Sequence, residues 1–314
     1  MINLRYHIVS IVAVFLALGI GVALGSSFVD GFVVETLRRN VDSLEADRDN
    51  LRSDVDLLQN ELDATREAHN AELDTLLPLS ISERLSGRPV MIIATQGVDS
   101  AEWEQVRDTV IDASATYEGT LWLSDRLDLS QESNRADIAE VLGLVTDRES
   151  VVRPALFLRL ARAMFPGPTS DIEVGDNPLV LLRDAALLSF DNEQARTGAL
   201  GEVPIPGTFY VIVGGEDAVL TPEQFVIPLL TKAVDEQLDP WAVAVQARPS
   251  DSDVSRDSYV GVLRADPLLA QTVATVDSVD TFDGVLSLVL LAERREVAHL
   301  GVAASAVDGR LPEP

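Results

Sequence analysis

Val90-Met91-Ile92-Ile93-Ala94 is a short, unbroken apolar run rich in β-branched residues. Such a run is what a strand covered on both faces of a parallel sheet requires. It follows a hinge at Gly87-Arg88-Pro89 and precedes a segment from Ser100 to about Ala115 in which Glu102, Trp103, Val106, Val110 and Ile111 recur at helical spacing. Gly119-Thr120-Leu121-Trp122-Leu123 reads as a second strand, and strand, helix, strand implies a right-handed crossover. Further strands are expected at Phe209-Tyr210-Val211-Ile212-Val213, Trp241-Ala242-Val243-Ala244-Val245, Tyr259-Val260-Gly261-Val262-Leu263 and Thr272-Val273-Ala274-Thr275-Val276. Helices are expected from Thr221 to Gln237 and from Thr281 to about Arg294, and helical patterns broken at Pro154, Pro166-Gly167-Pro168 and Pro178 fill 134–196. The alternation predicts a Rossmann-like α/β domain with a mainly parallel sheet over 79–314.

Toward the N-terminus the period changes. Val34, Leu37, Val41, Leu44, Arg48, Leu51, Val55, Leu58 and Leu62 follow a 3-4 alternation, with valine mostly at a and leucine at d. That spacing keeps one seam facing a partner, and β-branched a with leucine d favours a parallel two-stranded coil. Arg48 at an a position costs stability but can fix register and partner number. The pattern frays at Thr65, His69 and Glu72, resumes at Leu73, Leu76 and Leu77, and is expected to stop at Pro78. Residues 31–78 are therefore expected to form a coiled-coil stalk, of which 34–77 at 1.5 Å per residue would hold the next domain roughly 65 Å from its anchor. A single amphipathic helix lying back on its own domain is the competing reading, against which stand the narrow seam and the dense charge of the other faces.

Ile8 to Val29 is a stretch of 22 residues without a charge, enough to cross the roughly 30 Å of bilayer hydrocarbon. With Arg5 ahead of it, residues 1–30 have the layout of a secretory signal or signal-anchor, N-terminus cytoplasmic and bulk extracytoplasmic. Arg38 and Arg39 argue the other way under a strict positive-inside count. Ala23-Leu24-Gly25 before Ser26 has the small-x-small look of a cleavage site, but the apolar run is longer than a removable signal needs, so a retained anchor is expected. Ala13, Ala17, Gly21 and Gly25 fall four apart on one helix face, where small side chains let two backbones approach; Gly and Ala are also simply common in such helices.

Composition bounds the chemistry. Over 314 residues, 24 Lys+Arg against 51 Asp+Glu leave a formal charge of −27, which disfavours nucleic acid or anionic headgroups as main partners. With no cysteine there is no disulfide, thiolate zinc site or cysteine nucleophile. No phosphate loop of the G-x-x-x-x-G-K-[ST] or G-x-G-x-x-G kind is present, and Gly214-Gly215-Glu216-Asp217 reads as a plain strand-end turn whose acids would repel a phosphate. Of three histidines only His299 is placed to serve the domain, and no G-x-S-x-G elbow accompanies it. Asp251, Asp253 and Asp257 read as a solvated turn and at most a weak cation site. No enzyme, cofactor or resident metal is expected.

The N-terminal run from Ile2-Asn3-Leu4-Arg5-Tyr6-His7-Ile8-Val9-Ser10 through Val14-Phe15-Leu16-Ala17-Leu18-Gly19-Ile20-Gly21-Val22-Ala23-Leu24-Gly25 resembles the opening of the actinobacterial copper transporter family, the MctB-like proteins. The layout of stalk and acidic α/β domain is similar over essentially the full length. The resemblance implies a mycobacterial or corynebacterial type of envelope and two roles: copper efflux in the outer envelope, or, for SteB-type relatives, cell separation with a membrane partner (SteA) and a peptidoglycan hydrolase. Copper(I) prefers thiolate and thioether ligands, whereas this chain offers only Met1, Met91 and Met164, with Met91 placed to fill the core. The expectation is thus a homodimeric, membrane-anchored scaffold that regulates envelope remodelling during cell separation; copper efflux is the alternative.

Overall fold

The computed structural model describes residues 4–167, 176–195, 199–215, 217–247 and 259–312. The chain divides into two compact units, Met1–Ala68 and His69–Pro314. The first is helical from Leu4 onward and belongs to α1 (Leu4–Ile81), whose last turns belong to the second unit.

The second unit is a seven-stranded sheet of order β3-β2-β1-β4-β5-β6-β7. Its strands are β1 (Pro89–Thr95), β2 (Thr116–Leu123), β3 (Leu188–Asp191), β4 (Phe209–Val213), β5 (Ala242–Val245), β6 (Ala274–Val276) and β7 (His299–Leu300). β3 runs antiparallel to β2, and the remaining pairings are parallel. Side chains alternate across each strand, so Met91 and Ile93 enter one apolar cluster while Val90, Ile92 and Ala94 enter the other. The first cluster is completed by α3 (Glu132–Val141), α4 (Glu149–Met164), α5 (Pro178–Asp184), α6 (Val226–Asp235) and α7 (Tyr259–Ala265). The second is completed by Leu77 and Ile81 of α1, by α2 (Ser100–Asp112) and by α8 (Phe282–Arg294). Helices thus cover both faces of a mainly parallel sheet, as the unbroken apolar strands require.

Local chemistry fixes the helix ends. Asp99 caps α2 by accepting from the Ala101 amide at 2.9 Å, and Asn177 does the same for Leu179 at 3.0 Å with Pro178 in the first turn. Thr281 caps α8 through the Gly284 amide at 3.1 Å. At the other end of α8, Arg88 donates to the Ala292 and Glu293 carbonyls at 2.9 and 2.8 Å, so the expected hinge is pinned to a helix C-terminus.

Several expectations are corrected. Pro78 does not stop α1, which runs on to Ile81: Ile81 is fully buried and Leu77 nearly so, and this packing outweighs the one backbone bond that proline removes. Pro154 lies inside α4, whose neighbours Val152, Leu156 and Phe157 are in the core. Residues 259–263 form α7 rather than a strand. A short apolar run is ambiguous between the two, and here the Val260 amide is taken by the Gln246 side chain at 2.9 Å. The short strands β3 and β7 had no apolar run long enough to mark them. Asp251, Asp253 and Asp257 lie outside the described residues.

The C-terminal segment is held by a buried ion pair. Arg264 on α7 meets Asp277 at 2.7 Å, with side chains 3% and 0% exposed. Arg264 also donates to Thr275 Oγ1, Ser305 Oγ and the Leu300 carbonyl, while Asp277 Oδ1 accepts from the Val302 amide at 2.7 Å. Gly301, at φ +142°, permits the close approach, because a Cβ there would sit 2.0 Å from Asp277 Oδ1. Arg264→Ala leaves the carboxylate buried and unpaired and should destabilise the domain by about 3 kcal/mol, read by urea unfolding.

Candidate functional site

In open α/β sheets ligands bind outside the carboxyl ends of the strands, where the strand order reverses. Here that point lies between β1 and β4, and the chain itself fills it. The Val219 amide bonds the Gln96 carbonyl at 2.8 Å, and a Cβ on Gly97 (φ +93°) would sit 2.0 Å from the Asp217 carbonyl oxygen. On the β4 side the Tyr259 ring lies against Gly214, where a Cβ would come within 2.3 Å of it, and the Tyr259 hydroxyl bonds Thr95. Asp217 and Val219 accordingly pack against Gln96 and Gly97, just past β1; Glu216 lies outside the described residues.

Electrostatics at this edge are acidic. Glu102 accepts from the Ala247 amide. Burial pushes its carboxyl up to about 7, with Asp280 and Asp99 raising it further and the amide opposing. His299 is no free base: it is buried, with Nδ1 3.0 Å from Thr275 Oγ1 and Nε2 3.0 Å from the Ala270 carbonyl oxygen. Burial lowers its pKa.

The amino edge of the sheet carries two features that sequence reasoning missed. One is a cavity of about 340 Å³ between Phe165, Ile205, Thr208, Leu238, Trp241 and Arg295. Arg295 and Arg88 each lie 5.1 Å from the Trp241 ring, and Arg295 also pairs with Asp239. The other is Glu118. Val90 pairs with Tyr117 and Met91 with Gly119, so Glu118 is the extra residue of a β-bulge. Its side chain is fully buried: Thr208 Oγ1 donates to Oε2 at 2.9 Å, and Oε1 has no hydrogen-bond partner among the described residues. Gly119, at φ +123°, lets the Phe190 ring close over the bulge. An acid inside the apolar segment Thr116–Leu123 was the signal available in the sequence.

The sequence-derived residues of the first unit all fall on α1. Tyr6–Leu24 is a 19-residue stretch of mean hydropathy 2.5, long and apolar enough to cross a membrane, and Ala13, Ala17 and Gly21 lie on it. Val41, Leu44, Leu51, Val55, Leu58 and Leu62 are all exposed, Leu44 at 67% and Leu51 at 64%. Arg48, exposed, pairs with its neighbour Asp49 at 3.0 Å. The surroundings of Gly25 and the side chains of Val34 and Leu37 lie outside the described residues. Of the methionines, Met91 and Met164 are buried in the same core cluster. Among the described residues no group of three or more His, Cys, Asp or Glu side chains is placed to hold a metal.

These features define a mixed α/β protein with an apolar N-terminal helix long enough to anchor it in a membrane. A family model described as copper transport outer membrane protein, MctB, matches residues 1–309, and the chain belongs to that family. It is 31% identical over 307 residues to the copper transporter MctB of Mycobacterium leprae (strain TN), covering 92% of each chain. It is 28% identical over an alignment 328 residues long to the proteins of the same name from Mycobacterium tuberculosis (strain H37Rv) and Mycobacterium bovis, covering 98% of each chain.

Burial holds the Glu118 carboxyl near pH 7 in the folded protein, with the Thr208 hydroxyl and Ile205 amide opposing, against 4.5 for the ordinary group. The folded state therefore binds the extra proton, and the contribution to stability is lost as pH rises from about 4.5 to 7. Glu118→Gln keeps the neutral shape and should be more stable than the parent by roughly 3 kcal/mol at pH 8. In urea titrations the difference should shrink toward pH 4.5, the value for the ordinary carboxyl.

Proposed function

We propose that this protein is a membrane-anchored, non-enzymatic assembly protein of the cell envelope. It dimerises through the heptad face of α1 and presents its α/β domains, outside the cytoplasm, to another envelope protein during cell separation. The observation that carries this reading is the exposed seam of Val41, Leu44, Leu51, Val55, Leu58 and Leu62 on one continuous helix. Burying a leucine from water is worth about 1.5–3 kcal/mol, so a face of this size favours a partner strongly. The self-filled strand-order reversal, the structural engagement of His299 and the acidic carboxyl edge all favour a binding role over catalysis. The resemblance to SteB-type relatives supplies the class of partner: a membrane protein of SteA type and a peptidoglycan hydrolase.

Copper efflux is the second reading, favoured by the names of the mycobacterial relatives. Copper would then be cargo of an assembly, since the one apolar helix found among the described residues cannot by itself line a channel and the thioethers of Met91 and Met164 are enclosed in the domain core. Deleting the gene separates the two. Chained cells with parental copper tolerance support the scaffold; copper sensitivity with normal separation, together with copper bound by the purified protein, supports efflux.

Replacing Leu44 and Leu51 together by aspartate should convert the full-length protein in detergent from dimer to monomer in sedimentation velocity. The unfolding of the α/β domain should not change. A variant that still sediments as a dimer would show that the seam is not the interface.

A further inference from the structure

The heptad face is flanked by two columns of unlike charge. With Val41, Arg48, Val55 and Leu62 at a and Leu44, Leu51 and Leu58 at d, the g positions fall to Asn40, Asp47, Asp54 and Glu61. The e positions fall to Glu45, Arg52, Gln59 and Arg66. Asp47, Arg52, Asp54 and Glu61 are exposed on α1; Asn40 and Arg66 enter by sequence position alone. Residues at e and g set the orientation of a two-stranded coil, because in parallel pairing a g residue meets the partner's e residue of the next heptad, whereas antiparallel pairing sets g against g and e against e.

Parallel, in-register pairing places Asp47 beside the partner's Arg52 and Glu61 beside the partner's Arg66. Asp54 meets the partner's Gln59, and Asn40 meets the partner's Glu45, so no like charges meet. Each pair occurs twice in a two-fold dimer. Antiparallel pairing instead turns the acidic g column on itself. Arg48 points to the same answer: as an a residue in a parallel pair it lies beside the preceding g residue of the facing helix, where the partner's Asp47 can replace the weak exposed contact with Asp49. Taken with the seam proposed above, on which this step rests, we infer that the occupant of the face is a second copy of this chain, parallel and in register, with Asp47 and Arg52 as the orientation determinant. The interaction lies at the solvated rim of the seam, so added salt weakens the selection.

The absence of cysteine makes the test direct, because a single introduced thiol reports on one position. Val41→Cys and Leu62→Cys variants of the full-length chain in detergent are oxidised separately and as a mixture. Each should form a disulfide dimer alone, with no mixed species linking 41 to 62; mixed species alone would overturn the orientation while leaving the dimer standing. In the cysteine-free background, Asp47→Arg and Arg52→Asp should each weaken self-association at least tenfold at low salt. An equimolar mixture of the two should recover it as a heterodimer, helicity by circular dichroism being unchanged throughout. Self-association untouched by either reversal would overturn the determinant, and a parent chain that is monomeric would overturn both this inference and the seam reading.

Discussion

Burial of β1 and β4 on both faces is the constraint from which the rest of the second unit follows. Ile92 and Val211 point into one apolar cluster, and Ile93 and Ile212 into the other. Neither face can be left to water, so helices must be supplied on both sides. One set of covers comes from α4 and α6, and the other from α2 and α8. The last turns of α1 are drawn into the second set, because Leu77 and Ile81 have apolar area that the sheet face takes up. That demand is strong enough to carry the helix through Pro78.

The same architecture ordinarily leaves a crevice at the strand-order reversal, and its use here is structural. Gly97 and Gly214 allow the Asp217 carbonyl and the Tyr259 ring to approach closer than any side chain would permit. Polar groups that would serve chemistry elsewhere are satisfied internally: His299 by Thr275 and Ala270, Arg264 by Asp277 and the Leu300 carbonyl. Glu118 differs, a buried acid with one oxygen that has no hydrogen-bond partner among the described residues, placed by a bulge rather than by the regular pleat.

Much of this was legible in the residues. The central strands announce themselves as unbroken apolar runs, and α2 and α8 as helical periods with Asp99 and Thr281 ahead of them. The edges were not legible, because Leu188–Asp191 and His299–Leu300 are too short to show a period and form only against strands already in place. Tyr259–Ala265 was misread since five apolar residues fit either element, and what decides is a long-range contact, the Gln246 side chain on the Val260 amide. The bulge at Glu118 is likewise a matter of register between β1 and β2, which one strand's letters do not contain. For the first unit, the period of the seam is visible in the letters and its exposure is visible in the structure.

That exposure bears on how a copper-transporter family can include a chain so poor in soft ligands. A single copy has, among the described residues, one helix long and apolar enough to cross a membrane; the chain has no thiol, and two of its three thioethers are sealed in a core packed by both helices and strands. Freeing Met91 or Met164 for a metal would mean opening that core, at a cost of several kcal/mol for each large side chain exposed. Assembly carries no such cost, because the apolar face of α1 is already in water and gains by being covered.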